Sequence, residues 1–274
     1  MCEKGERYEK IRKIHHIYIG LRQWRCLGIS VYLDDYSFLE TQDEFFASGL
    51  SLIPKSLNFE NYVRAWNNAN FGVYFKNSII VTVSVVVIVL LATSAAGYVM
   101  GRYAFVGKKL IMGIFMASIT IPLVFTVIPI YELLKEMGLE SNLLGLILAE
   151  AGGGHVIFLM LFSSFYGGLP KELEEAATID GSGFMKTYTS IMFPLAKPIM
   201  ATVVIMQFIW TWNSFLLPLI VTLSKPELRT LAVGLYALRG ENVVDWTGIA
   251  AGACIAVLPI IIILYVYRNI LWTA

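Results

Sequence analysis

The sequence predicts an all-α membrane protein, a polytopic helical bundle, from three observations. Of the 274 residues, 57% are hydrophobic and only 15% are charged, whereas soluble domains carry about 25% charged residues. The mean hydropathy is +0.67. Several apolar runs reach the length of roughly 20 residues that a helix needs to cross a bilayer. The net charge of +1 argues against a nucleic-acid partner.

The apolar runs alternate with polar loops whose charges predict an orientation. The candidate spans are residues 77–100, 110–134, 143–166, 199–223 and 248–267. Arg102, Lys108 and Lys109 follow the first run, and short basic loops favour the cytoplasmic side of a membrane. Alternation then places the loop between the third and fourth runs in the cytoplasm as well. It also requires an earlier span, which gives nominally six.

That first span is doubtful. Residues 11–33 are the candidate, but they include Arg12, Lys13, Arg22 and Arg25. Each such residue costs about 2.5–3.5 kcal/mol at the centre of a membrane helix. Residues 1–40 are therefore interpreted as an atypical basic segment. They are either a frame-shifted or otherwise altered first span, or a basic helix that lies on the membrane surface.

A polar segment, residues 169–195, interrupts the apolar second half of the chain. Pro170 suits the first position of a helix, and the glutamates that follow lie where the helix dipole favours negative charge. Gly181 permits a tight turn, and residues 184–193 form a second helical pattern before Pro194. Two short helices around a glycine turn are predicted, which indicates a docking element rather than a catalytic one.

Glu175-Ala176-Ala177, Gly181, Ile191 and Pro194 resemble the coupling-loop signature of ABC importer permeases. That signature reads Glu-Ala-Ala, three residues, Gly, nine residues, Ile, one residue and Leu-Pro, and Phe193 replaces the Leu here. The resemblance implies the type I ABC importer permease fold. The residues it assigns to ATPase coupling are Glu175, Ala176, Ala177, Asp180, Gly181, Ile191 and Pro194.

A second resemblance concerns the class of substrate. Residues 210–219, Trp-Thr-Trp-Asn-Ser-Phe-Leu-Leu-Pro-Leu, resemble the Trp-Asn-Asp-Phe-Leu-Trp-Pro-Leu run of sugar-importer permeases, specifically of their second membrane subunit. Trp212 and Asn213 are therefore candidate pathway residues, although Trp near the end of a span is commonly an interfacial anchor. Glu150 is a third candidate, because an ionisable residue inside a membrane segment is a functional hypothesis by default.

The resemblance also implies a division of the chain into segments. The segments are an atypical N-terminal region at 1–40, an external loop at 41–76, a transmembrane permease domain at 77–267 and a short C-terminal tail at 268–274. The coupling loop at 169–195 belongs to the permease domain. The implied protein is a permease subunit of an ATP-driven importer for a sugar or oligosaccharide, in a bacterial or archaeal plasma membrane.

The implied partners are a dimeric ABC ATPase, a second permease subunit, an extracellular solute-binding protein and the lipid bilayer. No catalytic residue is expected in this chain, and ATP and Mg would be used by the ATPase. Gly101 to Lys109 resembles a phosphate loop only loosely, with five residues between its glycines and no Ser or Thr after the lysines. The scattered cysteines suggest no metal site. Two alternatives stay open: an ion-coupled secondary transporter, and a non-transporting remnant or regulatory subunit.

Overall fold

The computed structural model describes residues 58–68, 70–153, 155–237 and 244–272, the last five as backbone only. The atypical segment at 1–40, half of the predicted external loop and the last two residues of the tail lie outside the described residues. Within them all regular structure is helical, so the predicted all-α class is confirmed. The α-helices in chain order are α1 (Glu60–Asn68), α2 (Phe71–Arg102), α3 (Lys108–Ser118), α4 (Leu123–Glu136), α5 (Leu143–Gly152), α6 (Val156–Gly168), α7 (Glu172–Ile179), α8 (Phe184–Thr187), α9 (Phe193–Leu195), α10 (Lys197–Trp212), α11 (Leu216–Val221), α12 (Leu231–Ala237) and α13 (Trp246–Trp272).

The described chain has two helices that are each long and apolar enough to cross a membrane, α2 and the Trp246–Tyr267 part of α13. Three bent pairs of helices raise the number of candidate spans to as many as five. The helix of the first predicted run begins at Phe71 rather than at residue 77, and α1 occupies part of the predicted external loop. Apolar composition therefore located these spans, but the ends of their helices differ from the predicted ends.

Three predicted spans are not continuous helices. The run at 110–134 breaks into α3 and α4 with a bend of 104°. Pro122, the residue immediately before α4, is extended with ψ 129. Proline lacks the N–H that a continuous helix needs, and it disfavours helix in the preceding residue. The run at 143–166 divides into α5 and α6 with a bend of 54° at its glycines. The run at 199–223 starts within α10, which ends at Trp212, and continues as α11 after a break.

The chain separates into two compact units. Of the described residues, the smaller one comprises 58–68, 237 and 244–255. In it, Arg64 of α1 forms a 3.0 Å ion pair with Asp245. The Asp245 carboxylate also accepts a 2.9 Å hydrogen bond from the backbone N–H of Gly248. This bond satisfies one of the free N–H groups in the first turn of α13.

The larger unit comprises Asn70–Tyr236 and Ala256–Ala274, and its core is built on α2 and α6. The two helices pack closely at Gly97 and Gly101. A methyl group on Gly97 would overlap the Phe162 side chain, and one on Gly101 would lie 2.5 Å from the Ser163 carbonyl oxygen. Small residues four apart allow membrane helices to approach at backbone distance. This pair is the platform on which the candidate site is assembled.

Candidate functional site

The predicted coupling loop folds as a helix, a glycine turn and a second helical stretch. Gly181 has φ +73, which places it in the left-handed conformation that side chains disfavour. The N–H of Ser182 donates a 2.9 Å hydrogen bond to the Ala177 carbonyl and thereby closes the end of α7. After the turn, α8 passes into a π-helical segment, Tyr188–Met192, and then α9. The helix α7 begins at Glu172 rather than at Pro170.

The predicted coupling residues divide between an exposed surface and the interior. Ala177 is 3% exposed and Ile191 is half-buried. Two apolar side chains that the signature does not include, Ile179 and Met185, are 86% and 65% exposed. The predicted coupling residues that are exposed are Glu175, Ala176, Asp180, Gly181 and Pro194. The outer side of the loop thus combines carboxylates with exposed aliphatic side chains, a mixture suited to docking against another protein.

The loop is anchored to the end of α2 by Glu174. Arg102 forms a 2.6 Å ion pair with the Glu174 carboxylate, and its Nε donates a further 2.7 Å hydrogen bond. The Tyr98 hydroxyl donates to the other carboxylate oxygen at 2.6 Å. The sequence does not predict this anchor, because Arg102 belongs to a short basic loop whose charges indicate only orientation. The ion pair also places the two segments that were predicted to be cytoplasmic on the same side of the molecule.

The same arginine binds the end of α6. Its Nη1 donates to the Leu169 carbonyl at 2.7 Å and to the Tyr166 carbonyl at 3.4 Å. Its Nη2 donates to the Pro170 carbonyl at 3.3 Å. The carbonyls at a helix end have no partner inside the helix, so a guanidinium with five donors is well suited to this position. Only 4% of the Arg102 side chain is exposed.

The second half of the loop is also held against α2. The ring of Tyr188 stacks on Tyr98, with centroids 5.2 Å apart. The Tyr188 hydroxyl donates a 3.0 Å hydrogen bond to Ser94 Oγ, which also lies 2.8 Å from the Tyr166 hydroxyl. Phe184 packs on Tyr98 at 5.5 Å between centroids. Four aromatic side chains from four elements therefore meet at the last turns of α2.

Glu150 lies where two broken helices meet. It belongs to the last turn of α5, and the Ser214 hydroxyl donates a 2.5 Å hydrogen bond to its Oε1. Ser214 follows the end of α10, so the contact joins the α5–α6 break to the α10–α11 break. His155 Nε2 lies 3.1 Å from the Glu150 carbonyl oxygen. Broken helices expose backbone polar groups at membrane depth, which is tolerated where these groups are buried in protein or line a cavity.

The aromatic and amide candidates beside Ser214 occupy different environments. Trp212 is 3% exposed, and its indole N–H donates a 2.9 Å hydrogen bond to the Ala256 carbonyl. It also stacks on Phe208 with centroids 5.5 Å apart. Asn213 is exposed, and its amide donates to the Ile209 carbonyl at 2.8 Å. Trp210, which was not singled out, is 45% exposed.

Comparison with known proteins decides the family. Residues 93–271 match the family described as "Binding-protein-dependent transport system inner membrane component". The chain belongs to this family. The match covers the anchored loop, the broken helices and the C-terminal third of α2, so the sites described above belong to a transport permease. A permease of this kind works in general with an ATPase and a solute-binding protein.

Several relatives of this permease have named transport systems. It is 33% identical to the diacetylchitobiose uptake system permease NgcG of Streptomyces coelicolor, over 85% of this chain and 77% of that protein. It is 32% identical to AmyC of Thermoanaerobacterium thermosulfurigenes, named as a probable permease for starch degradation products, over 86% and 85%. It is 30% identical to the melibiose/raffinose/stachyose import permease MelC of Bacillus subtilis, over 77% of each chain.

The fold has a close match among solved structures. The permease superposes with a TM-score of 0.77 on a chain of a bacterial ABC transporter that imports the acidic polysaccharide alginate. The match covers 93% of this chain and 94% of that chain, at 20% sequence identity. At this identity the likeness establishes the fold alone. The predicted type I ABC importer permease architecture is therefore confirmed.

Proposed function

We propose that this permease is the membrane-spanning subunit of an ATP-driven importer for a sugar or oligosaccharide. The observation that carries the proposal is the coupling loop, a helix–glycine turn–helix with an exposed outer side and an inner side fixed to α2. The named relatives that import carbohydrates supply the class of substrate. The permease would reside in the plasma membrane of a bacterium or archaeon.

The outer side of the loop is proposed to contact an ATPase. Glu175 and Asp180 offer carboxylates, and Ile179 offers an exposed aliphatic side chain beside Gly181. Buried apolar side chains at the centre of an interface supply most of its binding energy, while rim charges set orientation and rate of association. ATP and Mg would be bound and used in that dimeric ATPase. A second permease subunit and an extracellular solute-binding protein would complete the importer.

The two helix breaks are proposed to border the translocation pathway. Glu150 and Asn213 supply a carboxylate and an amide there, groups that hydrogen-bond the hydroxyls of a sugar. Trp212 is proposed to act beside them by holding the end of α10, since its indole N–H is bonded to Ala256 and its ring is buried. Glu150 is joined to Ser214, so the two breaks would move together.

The first test is purification of the tagged permease from its native membranes in mild detergent, with mass spectrometry of the proteins that accompany it. We expect an ABC ATPase and a second permease subunit. Reconstituted vesicles are then tested for ATP-dependent uptake of chitobiose, malto-oligosaccharides and raffinose. Recovery of the permease alone, or uptake driven by an ion gradient without ATP, would refute the proposal and favour a secondary transporter or a non-transporting subunit.

A matched pair of variants tests the docking surface. Ile179→Asp places a charge in the proposed interface, and Val106→Asp places one on a still more exposed aliphatic residue of the loop after α2. We expect Ile179→Asp to reduce recovery of the ATPase about tenfold, the loss produced by roughly 1.4 kcal/mol of binding free energy. Val106→Asp is expected to leave recovery unchanged. Equal recovery with both variants would show that the loop does not carry the interface.

A further inference from the structure

We infer that Arg102 and Glu174 form the joint through which movement of the coupling loop is transmitted to α2, and that Tyr98 positions this joint. The inference rests on the proposed function, since it concerns an importer driven by an ATPase. The inference assigns different roles to two adjacent glutamates, Glu174 and Glu175. Glu175 of the Glu-Ala-Ala signature is exposed, whereas the Glu174 side chain is only 23% exposed and is bound by Arg102 and Tyr98.

The bonding of Arg102 supports a mechanical role. Its guanidinium binds a carboxylate of α7 and the carbonyls at the end of α6 at once, while its backbone ends α2. A planar guanidinium in several hydrogen bonds has little rotational freedom, and replacement by lysine would not reproduce this geometry. Three elements are therefore fixed to one side chain, so α7 cannot shift without moving the ends of α2 and α6 or breaking these bonds.

Because α2 packs closely on α6, a displacement of α2 would move both helices. At Gly97 and Gly101 the two helices approach at backbone distance, where an added methyl group would collide with Phe162 and Ser163. Gly167 meets the Gly101 carbonyl from the opposite side, where an added Cβ would lie 3.4 Å away. Closely packed interiors transmit displacement rather than absorb it. The joint would thus act on a helix pair and not on α2 alone.

The second half of the loop reinforces the same connection. Tyr188 stacks on Tyr98 and donates a hydrogen bond to Ser94, so the segment that leads to α10 also packs against α2. The loop lies between α6 and α10 in the sequence, yet both of its halves are bonded to α2. A displacement of the exposed side of the loop is therefore transmitted to α2, a span that is remote from the loop in the sequence.

The test uses the intact importer reconstituted in vesicles with its ATPase and solute-binding protein. The central variant is Arg102→Met combined with Glu174→Gln, which removes both charges together and leaves no buried charge unpaired. We expect the complex to assemble and to hydrolyse ATP, with sugar taken up per ATP reduced about tenfold, within the range usual for coupling between two sites. The single variant Arg102→Lys keeps a positive charge and is expected to lower the sugar taken up per ATP less than the double variant does. Glu172→Gln, an exposed carboxylate of the same helix turn, serves as the control with an unchanged ratio.

The ratio of uptake to hydrolysis separates transmission from simple support, because a purely structural role would lower both activities by the same factor. An unchanged ratio in the double variant would overturn the inference. If the double variant fails to assemble, the single variants Tyr98→Phe and Arg102→Lys provide the test. Tyr98→Phe keeps the aromatic ring, and Arg102→Lys keeps the positive charge. A wild-type ratio of uptake to hydrolysis in both variants would also overturn the inference. Failure of the wild-type chain to form an importer would instead refute the proposed function.

Discussion

Ser214 donates a 2.5 Å hydrogen bond to the carboxylate of Glu150, and this bond joins two helix breaks that are 64 residues apart in the sequence. Each break interrupts a segment that is apolar enough to span the membrane. A hydrogen bond inside a protein contributes about 0.5–1.5 kcal/mol to stability. The contact is therefore expected to hold α5 and α10 in register.

A double-mutant cycle measures this contact. Glu150→Ala, Ser214→Ala and the combination are compared for the free energy of unfolding in detergent, and we expect a coupling energy of about 1–2 kcal/mol, as is typical of residues in contact. Glu150→Gln keeps an acceptor oxygen and is expected to retain uptake. Additive effects of the two alanine variants would contradict the contact. Loss of uptake in Glu150→Gln, with stability unchanged, would show that transport uses the charge itself.

A second prediction concerns the backbone contact between α2 and α6. Gly101→Val would place a side chain on the Ser163 carbonyl, and overpacking of this kind costs about 1–3 kcal/mol. We expect the midpoint of thermal unfolding of the purified permease to fall by several degrees. Gly113→Val in α3 is the control, because an added Cβ there meets no atom within 4 Å. Equal midpoints for the two variants would show that the close approach is not required.

The glycine turn of the coupling loop gives a third prediction. Gly181 has φ +73, a conformation that costs a residue with a Cβ about 1–2 kcal/mol and that β-branched residues avoid most. Gly181→Val is expected to lower the ratio of uptake to ATP hydrolysis in reconstituted vesicles. Gly181→Asn is expected to retain most of it, because Asn tolerates this conformation.

Gly183 provides the control for that experiment. It lies two positions further along, with φ −78 and ψ 171, an extended conformation that any residue adopts, and an added Cβ there meets nothing within 4 Å. Gly183→Val is therefore expected to keep a normal ratio of uptake to hydrolysis. A loss as large as that of Gly181→Val would assign the effect to bulk in the loop rather than to backbone conformation.

The fourth prediction separates the two tryptophans. Trp212→Phe removes an indole N–H that is bonded to Ala256, and one such bond contributes about 0.5–1.5 kcal/mol. Trp210→Phe changes an exposed side chain, for which about 0.5 kcal/mol or less is usual. We therefore expect a lower midpoint of thermal unfolding for Trp212→Phe alone. A changed KM for sugar uptake in Trp212→Phe, with the midpoint unaltered, would mean that Trp212 contacts the substrate directly.

The positions of the apolar runs and of the coupling loop were predictable because they depend on signals that are local in the sequence. A long apolar run must be helical inside a bilayer, where every backbone polar group needs an internal partner. Gly181 and the proline before α7 act within a few residues of their own positions. The breaks within the spans were harder to predict from the sequence than the spans themselves. Pro122 lies in the break, immediately before α4, whereas Pro129 lies inside α4, and only the surrounding packing distinguishes these two outcomes.

The sequence by itself determined the class of the protein, its candidate spans and the location of the coupling loop, and it predicts an orientation. Only the tertiary structure decided which of two adjacent glutamates is anchored, that Arg102 holds it from 72 residues away, and that Trp212 is buried while Trp210 is exposed. The physical reason is the range of the forces involved. Hydrophobicity and backbone preference act along the chain, but an ion pair or a buried ring depends on which helices pack together.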